Sequence, residues 1–274
     1  MTTEHQIQQA AEILAGAEKT VASCGAGISA ESGIATFRDV GGVWDRMNPA
    51  EVGTTQGLID TLSRDAGKLV PFFLELLDAF DQAAPNPAHK ALAELEQMGI
   101  LQTVVTQNID NLHLEAGNTD VIEVHGNSFR MACLSCSYIE SRDRRQVITE
   151  ARDKLQSMKE YSLAAMMEVM PQCFQCGAMM RPDVVMFGEM VKDIPRAFEA
   201  ARNSDVMLAI GTSGVVYPAA YLPFEAKEAG AKVIVVNPNE NPFSRISDAY
   251  IPLKAGEAMS KLVDAVKTLK TQSP

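Results

Sequence analysis

The sequence predicts an α/β fold: a mostly parallel sheet covered by helices, with a smaller module inserted into it. Three observations carry this. Short apolar, β-branched runs alternate with segments whose apolar residues recur at helical spacing. The best of these runs each lead into a polar or glycine-rich loop. Two stretches, 41–85 and 128–188, interrupt the alternation.

Taken in order, a first helix runs through Ile7, Ala11 and Leu14 and ends near Gly16. A strand from Thr20 to Ser23 enters the loop Gly25-Ala26-Gly27. From Gly41 to Ala84 the chain reads as loops and helices. Asn86 and Pro87 make a helix start, an N-cap followed by proline at the first helical position. That helix turns Leu92, Leu95 and Met98 inward and stops at Gly99. Strands follow at Ile100 to Thr106, Val206 to Ile210 and Lys232 to Val236. The segment Phe129 to Arg181 holds four cysteines around a charged, helix-prone stretch, Arg142 to Met170. A last amphipathic helix shows Met259, Leu262, Val263, Val266 and Leu269, and the tail from Thr271 is expected to fray. The expected division is a Rossmann-like domain of residues 1–40, 86–127 and 189–274. A helical module, 41–85, and a cysteine-bearing module, 128–188, form the small domain.

With 274 residues and 46% apolar content the chain has enough for a real core. It holds no run of about eighteen apolar residues, so no membrane span is expected. Met1 to Gln9 is polar, without a basic segment followed by an apolar one, so no secretory signal is expected either. These readings place the protein in the cytosol. A formal net charge of −11 opposes a nucleic-acid backbone as the partner. It favours basic partners such as lysine-rich peptides, although plain solubility asks for the same balance.

Four of the five cysteines form two C-x-x-C pairs, Cys133/Cys136 and Cys173/Cys176, separated by residues 137–172. In a cytosolic chain this pattern reads as metal before disulfide. Four thiolates suit tetrahedral zinc and leave no open position, so the site is expected to be structural. Cys24 stands apart as a small buried residue.

Four strands end in Gly25-Ala26-Gly27, Gln107-Asn108-Ile109-Asp110, Gly211-Thr212-Ser213 and Asn237-Pro238-Asn239. Ligands of open α/β sheets sit beyond the carboxyl ends of the strands, so four such loops describe a dinucleotide crevice. Gly25, Gly27 and Ala30 satisfy G-x-G-x-x-[GA], where glycine lets backbone N–H groups approach a pyrophosphate. A tight turn gives the same pattern. The acidic residue expected about twenty positions on has only Asp45 as candidate, outside any convincing strand. This is not an ordinary Rossmann fingerprint.

The residues beyond the loop are more specific. The run GAGISAESGIATFRD, Gly25 to Asp39, resembles the sirtuin signature GAGISxxSGIPxFR. The resemblance extends through Thr106 to Asp110, His125-Gly126, both cysteine pairs, Phe187-Gly188-Glu189, Gly211 to Ser213 and Asn237 to Asn239, in the family's order. It implies an NAD-dependent protein-lysine deacylase that holds one structural zinc on Cys133, Cys136, Cys173 and Cys176. The partners it implies are acylated lysine peptides; a monomer is expected, and the charge and the lack of a long apolar run speak against nucleic-acid and membrane partners. Ala35 departs from the usual proline and leaves φ unfixed there.

By resemblance, NAD contacts fall on Gly25, Ala26, Gly27, Ser29, Glu31, Phe37, Arg38, Trp44, Gln107, Asn108, Ile109 and Asp110. Further contacts fall on Gly211, Thr212, Ser213, Asn237, Pro238, Asn239 and Ala255. His125 matches the general base, and Asn108 and Asp110 match residues that hold ribose and nicotinamide amide. The resemblance further implies that the acyl oxygen attacks C1′ and nicotinamide leaves. His125 then activates a ribose hydroxyl, and lysine and O-acyl-ADP-ribose are released. On the residues alone, His125 reads as structural, and Asp110 as a helix cap; His5, His89 and His113 look structural or solvent-facing.

The same resemblance places Val184, Val185, Phe187, Gly188 and Glu189 along the acyl-lysine tunnel, where backbone pairs with an extended peptide. Desuccinylating relatives carry Tyr-x-x-Arg where this chain has Phe73 and Leu76. Neutral acyl groups are therefore the expected substrates, unless Phe73 and Leu76 are ordinary core residues. Rival readings are an ADP-ribosyltransferase or NAD glycohydrolase on the same fold, a hydride-transferring dehydrogenase, and a zinc-ribbon nucleic-acid-binding module.

Overall fold

The computed structural model describes residues 2–37, 41–168 and 170–272. Its main sheet has six strands: β1 (Thr20–Cys24), β2 (Leu101–Thr106), β3 (Val121–Glu123), and then β7 (Val206–Ile210), β8 (Lys232–Val236) and β9 (Ala249–Ile251). All neighbours pair in parallel, in the spatial order β3-β2-β1-β7-β8-β9. The chain therefore builds outward from β1 to β3, returns to the middle at β7, and builds outward the other way. The point of reversal lies between β1 and β7, where open α/β sheets bind their ligands.

The two central strands, β1 and β7, are buried along their whole length because helices cover both faces. Side chains alternate between two layers. Ala22, Cys24, Val104, Leu208, Ile210, Ile234 and Val236 face a layer of α1 (Thr3–Ala15), α6 (Pro87–Gln97) and α12 (Ala255–Gln272). Val21, Val105, Met207, Ala209, Val233 and Val235 face α10 (Ile194–Arg202) and α11 (Leu222–Glu228). In α1 the buried residues Ile7, Ala10, Ala11 and Leu14 fall on one stripe, with Thr2 capping the start and Gly16 the end. Asn86 caps α6 through the Ala88 amide, as its sequence position predicts.

The interrupting stretches fold as α2 (Val43–Arg46), α3 (Pro49–Val52), α4 (Thr55–Asp65) and α5 (Val70–Gln82), followed after β3 by a second sheet. That sheet is antiparallel, with β4 (Gly126–Cys133) between β5 (Ile139–Ser141) and β6 (Met180–Val184). α5 packs on α8 (Arg144–Ser157) around Phe80, Phe129 and Ile148. α7 (Leu112–Ala116) comes after β2, and α9 (Leu163–Glu168) after α8. Arg144 ties these pieces together. Its guanidinium donates to the carbonyls of Phe80 and Ala83 at the end of α5 and pairs with Glu115 of α7 at 2.6 Å.

Several sequence expectations change here. The helix-prone stretch Arg142 to Met170 is two helices with a break at 158–162. The second sheet and β9 are not expected from the sequence: β5 and β9 span three residues each, and β6 carries a proline and an aspartate. The final helix continues through Gln272 instead of fraying from Thr271. No helix among the described residues is long and apolar enough to cross a membrane.

Candidate active site

At the point of reversal the loops after β1 and β7 interlock. The Gly25 amide donates to Ile210 O at 3.1 Å, and the Gly27 amide to Gly211 O at 2.8 Å. A Cβ on Gly27 would lie 2.7–3.0 Å from the Gly211 backbone. This adds a packing role to the one read from the sequence. Both glycine N–H groups are committed to the neighbouring strand end, so the glycines are needed for loop-to-loop contact before any phosphate arrives. Gly27→Ala is expected to cost about 1–3 kcal/mol of stability through overpacking. Chemical denaturation measures this, and an unchanged midpoint would mean that the loops separate freely.

Three more links draw the strand ends together. Gln107 Nε2 donates to Thr212 Oγ1 at 3.3 Å, and Asn237 Nδ2 donates to the buried Thr212 carbonyl at 3.0 Å. Asn108 Nδ2 reaches Gly25 O at 3.2 Å and Ser29 Oγ at 3.0 Å. The Ser29 hydroxyl in turn donates to Asp110 Oδ2 at 2.6 Å. Asp110 Oδ1 accepts the amide of Leu112, the first residue of α7, at 3.0 Å, while the N-cap position itself is Asn111. Burial raises the Asp110 pKa, with the hydrogen bonds from Ser29 and Leu112 working against that rise. Ser213, Pro238 and Asn239 are exposed, and Ile109 packs toward the Phe80 cluster.

His125 is half-buried beside this floor, with Nδ1 3.0 Å from Gln107 O. A carbonyl only accepts, so Nδ1 carries the proton and Nε2 presents a lone pair. Burial lowers the His125 pKa below its ordinary value, partly opposed by the Gln107 hydrogen bond. Gly126, at φ +79°, is required next to it because a Cβ there would lie 1.7 Å from the Asp183 carbonyl oxygen.

Phe37, Trp44 and Phe187 form an aromatic row, with centroids 5.3 and 6.0 Å apart along it. Beside it lies a pocket of about 290 Å³ lined by Ala30, Gly33, Ile34, Ala35, Thr36, Gly41 and Gly42. Arg38 lies outside the described residues. Glu31 accepts the Gly256 amide at 2.6 Å, next to Ala255, and so serves as a side-chain cap on α12.

The tunnel segment is tied into the protein by its own backbone. The amides of Val185, Met186 and Phe187 donate within the protein, to His125 O, Glu189 Oε2 and Gly53 O. Strand pairing with a peptide cannot use these three amides in this conformation. Glu189 also receives Arg181 at 2.7 Å and Thr55 at 2.9 Å, so its carboxylate fixes the loop from within. Val184 and Gly188 flank that loop, Gly188 at φ +89°. Phe73 and Leu76 lie on α5, where the Phe73 ring sits tilted against Phe72 with centroids 5.8 Å apart and Leu76 borders the Phe80 cluster with Ile34 and Ile109.

His89 and His113 are deeply buried, with ring centroids 4.9 Å apart. Burial lowers His89 to about 4 and His113 to about 3, so both are neutral at pH 7. His89 Nε2 lies 3.4 Å from Ser29 Oγ, a contact with no sequence signal because it joins residues sixty positions apart. Burial likewise pushes the Cys24 thiol far up, as befits an inert core residue.

The thiols of Cys133, Cys136, Cys173 and Cys176 come together with all four sulfurs within 4.8 Å of one another. Three of the separations are 3.5, 3.6 and 3.7 Å. A tetrahedron of sulfurs about 2.3 Å from zinc has edges of about 3.8 Å. The donor set fits one structural zinc.

A model of the Sir2 family matches residues 25–218. The chain belongs to that family. A 56% identical relative from Desulfosudis oleivorans, an NAD-dependent protein deacylase, aligns over 100% of both chains. A solved Sir2 homolog–NAD complex is 36% identical with TM-score 0.77, covering 94% of this chain and 93% of its own. Sir2Af2 bound to a myristoylated histone peptide is also 36% identical, with TM-score 0.73, covering 98% and 100%. In this chain the loops at Gly25, Gln107, Gly211 and Asn237 are hydrogen-bonded together at the sheet's point of reversal.

Proposed function

We propose that this chain removes acyl groups from protein lysines, consuming NAD and releasing nicotinamide and O-acyl-ADP-ribose. The observation that carries the reading is His125, held with Nε2 as a base beside the Ser29–Asn108–Asp110 network of the dinucleotide crevice. The residues suit NAD. Hydroxyls of Thr212 and Ser213, amides of Asn108 and Asn237, and the Asp110 carboxyl supply the neutral and acidic partners that ribose and amide groups need. NAD, when bound, supplies a cleavable bond between nicotinamide and ribose and a ribose that takes up the acyl group.

The chain's own residues act around that chemistry. Asn108 and Asp110, locked by Ser29, orient the nicotinamide end. The row Phe37, Trp44 and Phe187 shields the reacting carbon from water. His125 Nε2 takes the proton of a ribose hydroxyl after nicotinamide has left. Mass spectrometry of a reaction with NAD and an acetyl-lysine peptide tests this: one O-acetyl-ADP-ribose is expected per lysine freed. ADP-ribosylated protein, or free ADP-ribose with the acyl group retained, would assign the chain to transferase or glycohydrolase chemistry.

The acyl preference rests on Phe73 and Leu76, which offer no cation to a carboxylate. Burying such a charge unpaired costs several kcal/mol, so desuccinylation is expected about a hundredfold below deacetylation. Longer neutral chains are accepted, in keeping with the neighbour that binds a myristoylated peptide. Comparable rates on acetyl- and succinyl-lysine would overturn the assignment of these two residues. The reading also takes the parallel domain as 1–40, 86–127 and 189–274, with 41–85 and 128–188 forming the small domain over the crevice. It places the protein in the cytosol, where four cysteines stay reduced for zinc. The protein acts there as a monomer on lysine-rich partners, away from nucleic acid and membrane, as the charge of −11 favours.

A further inference from the structure

Four charged side chains run in sequence beside the His125-Gly126 turn, and one backbone hydrogen bond closes them into a ring. Glu123 of β3 pairs with Arg130 of β4 at 2.5 Å, and Arg130 Nε pairs with Asp183 of β6 at 3.2 Å. The other Asp183 oxygen pairs with Lys192 Nζ. The Lys192 amide then donates to Val124 O at 3.0 Å, closing the circuit beside Glu123. A strut crosses the turn, from Asn127 Nδ2 to Glu123 Oε1 at 2.6 Å.

The two carboxylate side chains are only 7% and 6% exposed, so each depends on its cationic partners. Two acids and two bases balance within the ring. It grips His125 from both sides through the backbone. The Val185 amide, two residues from Asp183, donates to His125 O at 2.9 Å, and β4 and β6 pair in register at Gly126 with Val184 and Asn127 with Asp183. The ring spans three strands and two sheets.

We propose that Glu123, Arg130, Asp183 and Lys192 are positioning residues for His125, fixing the turn so that its imidazole stays on the Gln107 carbonyl. The inference rests on the reading of His125 as the base. A misplacement of about 1 Å at a reacting group costs about a hundredfold in rate, and a ring broken at one charge lets the turn drift by a fraction of that.

Because His125 acts after the bond to nicotinamide has broken, incorporation of labelled nicotinamide into NAD does not require it. Deacylation does. Glu123→Gln and Lys192→Met are expected to lower deacylation kcat about tenfold while changing nicotinamide exchange less than about twofold, with Lys192→Arg restoring most of the loss. Lys192 lies at the ring's more exposed rim, so Lys192→Met carries the test if Glu123→Gln does not fold. Exchange and deacylation falling together in folded variants, or deacylation unchanged, would overturn the proposal. Failure of the function itself is separately visible, since the unsubstituted protein would then release no O-acyl-ADP-ribose.

Discussion

Replacing His125 by alanine is expected to lower deacylation by roughly a hundred- to ten-thousandfold, the span that a positioned general base contributes. The loss is expected in kcat and kcat/KM together, with NAD binding and the unfolding midpoint close to those of the unsubstituted protein. The imidazole's polar contact is with Gln107 O, so its removal leaves one carbonyl at a partly open site. The pH dependence comes from the same surroundings. Burial lowers the His125 pKa from 6.5, so the neutral, proton-accepting form persists further into acid than in an ordinary histidine. The acid limb of kcat/KM is therefore expected below pH 6.5 and is expected to vanish in whatever activity His125→Ala retains. An unaltered rate in that variant would end the role of His125. An acid limb above pH 7 would contradict the burial argument.

Removing zinc is expected to dismantle the antiparallel sheet. The core beneath the four cysteines is small: Met131, Cys173 and Met180, with Cys133, Cys136 and Tyr138 around it. Such a core supplies little by itself, while structural zinc contributes about 10–16 kcal/mol of apparent binding energy in zinc-dependent folds. Hydrogen exchange is expected to show β4, β5 and β6 losing protection on chelation or in Cys173→Ser. Strands β1, β2, β7 and β8, sealed between two helical layers, are expected to keep theirs. Deacylation is expected to be lost at the same time, because Val184 at the end of β6 and Val185 just after it hold the His125 turn. Unchanged protection in β4 to β6 after the metal is gone would mean that zinc is incidental to the fold.

Much of the crevice is legible in the chain itself. Val206–Ile210 and Lys232–Val236 read as strands because both faces are buried and nearly every position is apolar. Asn86-Pro87 marks a helix start because capping is local. The second sheet is not legible. Its strand Met180–Val184 contains a proline and an aspartate, and its pairing is set by a cysteine cluster and by a glycine that admits the Asp183 carbonyl. From sequence the amides of Val185, Met186 and Phe187 look available to a peptide, and only the fold shows that they are spent.

By itself the sequence determined the strand-end loops, the four cysteines that suit zinc and the family resemblance, and only through that resemblance did it point to His125 as the base. Each is written in residue types at short spacing, and short-range chemistry needs no fold to be read. The tertiary structure decided which loops meet. It set β1 beside β7, so that the Gly25 and Gly211 loops interlock at the sheet's reversal, and it closed Glu123, Arg130, Asp183 and Lys192 into a ring about His125. Contacts between residues far apart in the chain depend on strand order and on which side chains burial forces to pair. Neither is encoded at any one position.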